Sequence, residues 1–169
     1  MTFDPDAIRQ DFADGKGGVL EWIARENGVS TLDIARLLPD DQRVIVADPP
    51  MADVLEELAG WGEVMIVKVT PAVVLEIASA IPPALMARGY FNFHVDTAFG
   101  GHLKEDACHH LAFLDRRTGE RRSLSLVFYD GDGEVIFKVF VRRDENREML
   151  PGQIVKYEAL RASMLQVAD

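Results

Sequence analysis

The tightest constraint on the fold lies in Glu134–Val141. Val135, Phe137, Val139 and Val141 alternate there with Ile136, Lys138 and Phe140, so one side is wholly apolar and the other nearly so. Successive side chains of a strand point to opposite faces. A strand apolar on both faces belongs inside a sheet covered from both sides. The preceding Asp130-Gly131-Asp132-Gly133 is a hairpin signal, because glycine tolerates the positive φ of a tight turn. It joins this strand to Ser123–Asp130. Val64–Val69 and Val73–Ala78 are rich in β-branched residues and flank a Thr70-Pro71 turn. Tyr90–Phe93, His102–Lys104 and Cys108–Asp115 complete a region expected to run as one extended antiparallel meander.

Helical patterns bracket that region. Residues 1–40 read as helical: Val19, Leu20, Ile23 and Ala24 recur at helical spacing, Gly28 stops the helix, and Ser30 caps a second one. Ile34, Leu37 and Leu38 form the second stripe, before Pro39. Val44–Val46 is a short strand ahead of Pro49-Pro50. Residues 51–61 form a helix with Val54, Leu55, Leu58 and Trp61 on one side. Pro151 opens a final helix, where its missing N–H costs little, with a stripe of Ile154, Tyr157, Leu160, Met164 and Val167. The expectation is an α+β chain in one domain over residues 1–169, with a helical part at 1–40 and a β-rich part at 43–169.

Charge narrows the function. Eighteen Lys and Arg against 28 Asp and Glu give a net charge of −10. This opposes sequence-independent binding to nucleic acid, which needs a basic face, and adsorption to anionic membranes. No apolar run approaches the length of a bilayer span, and Met1–Arg9 lacks a signal-peptide core. A cytoplasmic location without membrane insertion is expected. Cys108 is the single cysteine, so no intramolecular disulfide forms.

Several motifs carry both a plain and a functional meaning. Ala24, Gly28, Val29, Ile34 and Leu37 have the spacing of a helix-turn-helix. Its second helix offers one base, Arg36, against Asp33, and residues 1–40 hold four bases and eight acids. That favours a structural pair of helices over a DNA reader. In Cys108-His109-His110, strand alternation puts Cys108 and His110 on one face, two ligands short of a tetrahedral metal site. Asp130-Gly131-Asp132-Gly133 lacks the remaining ligands of a calcium loop. Arg116, Arg117, Arg121 and Arg122 surround a hairpin turn, either as a solvated tip or as guanidinium groups for an anion. Gly89-Tyr90-Phe91-Asn92-Phe93-His94 and Gly100-Gly101-His102-Leu103-Lys104 join aromatics to histidines. A flat apolar ligand carrying a metal suits such a set; core strands with satisfied histidines are the plainer alternative.

These last segments, with Cys108 and His110, resemble the central motif of the ChuX/HutX family. Ile136–Val141 followed by Arg143-Asp144-Glu145, Arg147-Glu148 and Leu150 is similar to the family's closing strand and its "GRDE-x-RELL" segment. Trp61-Gly62 and Val19-Leu20-Glu21 also fit. The resemblance implies a cytosolic haem-binding carrier, a single-domain relative of the two-repeat HemS/ChuS proteins, forming a homodimer on an extended antiparallel sheet. His102 matches a histidine proposed in the family as an iron ligand. Chemistry suggests that Phe91, Phe93 and Leu103 cover the porphyrin, and that Lys104 or the hairpin arginines, Arg117 among them, meet the propionates. A second axial ligand is open between His94, His109 and the dimer partner.

The chain also departs from the pattern. Val69 stands where some relatives carry a second histidine, the Arg117-Thr118-Gly119 hairpin is basic where an apolar Phe-Met-Gly is usual, and Arg142 replaces a glycine. Loss or alteration of haem binding is therefore one alternative, and haem breakdown is another. No acid/base set is visible in the residues, so binding is expected over turnover.

Overall fold

The computed structural model describes residues 3–93 and 97–167. Helices α1 (Pro5–Ala13), α2 (Leu20–Asn27) and α3 (Thr31–Ala35) come first, followed by β1 (Arg43–Ala47) and α4 (Met51–Ala59). Eight further strands follow: β2 (Glu63–Val69), β3 (Val74–Ala80), β4 (Ala84–Ala87), β5 (Tyr90–Phe93), β6 (Gly101–Lys104), β7 (His110–Thr118), β8 (Arg121–Tyr129) and β9 (Val135–Phe140). Helix α5 (Pro151–Val167) closes the chain. The α+β class holds, and no helix among the described residues is long and apolar enough to cross a membrane.

The single meander does not. A six-stranded antiparallel sheet has the order β1-β7-β8-β9-β2-β3, while β4, β5 and β6 form a separate three-stranded sheet. Strand β9 needs a partner on each edge to satisfy its backbone, and takes β8 on one side and the β2–β3 hairpin on the other. Strand β4 follows Pro82-Pro83 and is only four residues long, too short to carry a periodic signal.

Alternation gives the large sheet two faces. On the first, Val64, Ile66, Phe113, Leu126, Phe128 and Val139 are buried under α4, α5 and the small sheet. The Tyr157 ring of α5 meets Phe113 edge-on at 5.6 Å. Tyr157, Leu160 and Met164 are the buried part of the α5 stripe; the Val167 side chain lies outside the described residues. On the second face, Ala112, Leu114, Val127 and Tyr129 pack against Phe12, Leu20, Ala24, Leu32 and Ile34 of the N-terminal helices. Those helices reach only across β1, β7, β8 and the start of β9. Beyond them the second face of β9, β2 and β3 is covered only in part: Val67 and Val69 are each 7% exposed, while Met65 and Phe140 are half-buried and Val74 is exposed.

The helix-turn-helix spacing builds packing. Gly28 ends α2 at φ 66°, the left-handed cap that glycine adopts without a Cβ clash. The Ser30 hydroxyl accepts from Asp33 N–H at 3.1 Å to start α3. Four of the five α3 residues are buried, so the helix has no face with which to read DNA. Its Leu32 N–H donates to Gly133 O at 2.9 Å, which docks it on the β8–β9 turn.

Gly133 has φ 78°, and a Cβ there would sit 2.8 Å from Ser30 Oγ. Gly133→Ala is expected to cost roughly 1–3 kcal/mol through backbone strain and the displaced α3. Gly131→Ala meets only the His109 ring, at 3.4 Å, and is expected to cost less than about 1 kcal/mol. Urea denaturation of the two variants checks the difference.

Candidate functional site

Register in the small sheet decides which residues share a face. Asn92 pairs with His102, Tyr90 with Lys104, and Phe91 with Leu103. Directly opposed residues project to the same side. Tyr90, Asn92, His102 and Lys104 therefore face outward. Phe91, Phe93 and Leu103 face inward and are 6%, 4% and 8% exposed within the first-face core. This corrects the expected arrangement: on the protomer the three cannot lie over a ligand held by His102, because the backbone of the small sheet intervenes.

His102 is oriented by its neighbour. Asn92 Nδ2 donates to the carbonyls of Leu85, Ala87 and Tyr90 at 2.9, 3.2 and 3.0 Å, which fixes the amide. Its Oδ1 then faces His102 Nδ1 at 2.6 Å. An amide oxygen only accepts, so Nδ1 carries a proton and donates to it. This is how a protein prepares an imidazole as a metal ligand. The Tyr90 ring stands edge-on at 6.3 Å. Ala87, Arg88, Tyr90, Asn92 and His102 line an open cavity of about 540 Å³. The sequence does not reveal the part played by Asn92 or Arg88, because each depends on the cross-strand register.

A second concavity, of about 530 Å³, lies over the partly covered half of the large sheet. Met65, Val67, Val69, Val74 and Phe140 provide an apolar floor; Arg116, Arg121, Arg122, Lys138, Arg142 and Arg143 bring cations to it. Arg117 is absent from this lining. On β7 it alternates to the first face, where it pairs with Asp41 at 2.8 Å and lies 3.7 Å from Asp115. Its neighbour Arg116 is on the groove side. The hairpin register, Arg116 with Ser123 and Thr118 with Arg121, was the signal that distinguishes them. Val69, the position of a second histidine in some relatives, lies in the floor of this groove.

The Cys108-His109-His110 segment divides differently from its expected alternation. Strand β7 begins only at His110, and Cys108 donates to His110 O at 3.3 Å. Burial pushes the Cys108 thiol up to about 11 and holds His110 below its usual range. His109 packs by Gly131, and His94 lies outside the described residues. Among the described residues no cluster of three or more His, Cys, Asp or Glu could hold a metal.

The chain belongs to the haem utilisation ChuX/HutX family, whose model matches residues 44–160. It is 30% identical over 139 residues to the intracellular heme transport protein HutX of Vibrio cholerae serotype O1, covering 82% of this chain and 72% of that one. A solved structure of a protein from Agrobacterium tumefaciens matches with TM-score 0.82 and 36% identity, over 95% of this chain and 92% of the other. The structure of the heme binding protein ChuX matches with TM-score 0.83 and 27% identity, over 93% and 98%.

A thiol raised from 9.0 to about 11 holds about 100-fold less thiolate at pH 8. Cys108 is expected to react with a disulfide reagent at pH 8 slower by about that factor in the folded protein than in urea, and a stopped-flow comparison measures it.

Proposed function

We propose that this chain is an intracellular haem carrier, binding haem for transfer and leaving the porphyrin intact. One observation supports this most: the groups a haem needs are present, divided between opposite sides of the protomer. The outer face of the small sheet holds an imidazole whose Nδ1 is anchored to Asn92 Oδ1 at 2.6 Å. The partly covered half of the large sheet holds an apolar floor and a cationic margin, in a concavity of about 530 Å³, within the size range of small-molecule sites. In this reading His102 ligates the iron. The groove holds the macrocycle, and Arg116 and Arg121 meet the propionates. Lys104, on the face of His102, adds a further cation.

Within one protomer the two halves cannot meet, because Phe91, Phe93 and Leu103 seal the small sheet onto the first face while the groove opens on the second. A second copy resolves this, with His102 of one protomer over the groove of the other. A homodimer is therefore part of the proposal. Its boundary would be edge strand β3, where Val74, Leu75 and Ile77 are 39%, 51% and 37% exposed beside an unpaired backbone edge. The names of the HutX and ChuX relatives agree with haem as the ligand. With a net charge of −10, haem carboxylates would be drawn by local cations and not by the whole protein.

Titration with haem is expected to give a saturable, shifted Soret band, weakened at least about tenfold in His102→Ala. Arg121→Glu should also weaken binding, most at low salt. A wild type without a saturable band would falsify the carrier reading. In sedimentation at micromolar concentration the chain should run as a dimer and Ile77→Lys as a monomer with poorer haem affinity. A wild-type monomer that binds haem at full strength sinks the shared-site arrangement alone.

A further inference from the structure

The inner end of the groove adjoins a smaller cavity of about 40 Å³ beside α2. Leu20, Arg116, Ser123, Lys138 and Phe140 border both spaces. The cavity is polar where a helix–sheet interface is normally apolar. Tyr129 lines it, is 0% exposed, and its hydroxyl finds no hydrogen-bond partner among the described residues. A buried polar group left so is costly and calls for an explanation.

Its neighbours supply one. Lys138 Nζ lies 2.7 and 2.9 Å from the two carboxylate oxygens of Glu21, with side chains only 12% and 11% exposed. Arg116 donates to Gly18 O at 2.9 Å and stands 5.7 Å from the centroid of the Phe12 ring. It has no carboxylate in ion-pair range among the described residues. Arg116 and Lys138 thus stand nearest Glu21, with Lys68 and Glu134 also acting on the cluster, and burial lowers the proton affinity of Arg116 and Lys138.

We propose that this cavity is a carboxylate subsite: one carboxylate of an amphipathic acid lying along the partly covered sheet enters beside α2, accepts from the Tyr129 hydroxyl, and is held by Arg116 and Lys138. This rests on the groove being the haem site, and it names Tyr129 as a residue that selects the free acid. An entering carboxylate balances the charge, since Arg116 and Lys138 then face it and Glu21. A space of about 40 Å³ admits such a group and excludes a ring, so the macrocycle remains on Val67, Val69 and Phe140.

Haem and haem dimethyl ester, in which the propionates are neutral, separate the outcomes. The wild type should prefer the free acid at least tenfold. Tyr129→Phe should cut that preference at least fivefold, leave the Soret position unchanged, and raise the melting temperature of the ligand-free protein by about 2 °C or more, because an unmet hydroxyl is gone. Lys138→Met should lose the preference as well. If the wild type binds haem and Tyr129→Phe keeps the full preference, a bound water serves the hydroxyl and the subsite is refuted while the carrier reading survives. A wild type that binds no haem at all sinks both.

Discussion

Both faces of a six-stranded sheet must leave water, and the helices available here are unequal to the task. On the first face α4, α5 and the small sheet cover the central strands, burying Phe113, Leu126, Phe128 and Val139 completely and leaving Leu75 and Ile77 of edge strand β3 exposed. On the second, three short helices reach only as far as the start of β9. The remaining strands still carry apolar side chains, because β9 and β2 are central and their residues were selected for a covered position. An apolar floor that is only partly covered follows, and a groove of that kind marks a place for a ligand or another chain.

Within that frame, strand alternation distributes the chemistry. Phe91 and Leu103 face the core because Asn92 and His102 face out, and a shift of one residue would reverse the set. The same rule puts Arg117 on Asp41 and Arg116 in the groove. It also leaves His102 with a neighbour whose amide is pinned by three carbonyls, so the orientation of the imidazole is a property of the sheet.

The join between the covered and partly covered halves is the polar cluster of Glu21, Lys138, Arg116 and Tyr129. Buried ion pairs contribute little net stability while intact, yet removing one partner typically costs about 3–5 kcal/mol. Such a cluster makes sense at a boundary, where the helix ends and the groove begins. Helix α2 is held to β9 there through Glu21 and Lys138, and the net positive remainder points toward the open face.

Much of this was legible in the residues. The hairpin at Asp130–Gly133, the two-sided apolar strand after it, the Gly28 turn and the α5 stripe are local patterns, and local patterns survive any tertiary arrangement. Strand β4, the second sheet and the β9–β2 pairing were not legible, since they depend on which edges meet across long stretches of chain. For the site, the sequence by itself determined the inventory: one imidazole at position 102, aromatics around it, and an arginine-rich hairpin. Only the tertiary structure decided that the aromatics turn away from that imidazole, that Arg116 and not Arg117 reaches the groove, and that the Tyr129 hydroxyl is buried with no partner among the described residues. The physical reason is that sidedness is set by register and by what covers each face, and neither is written in the spacing of a single strand.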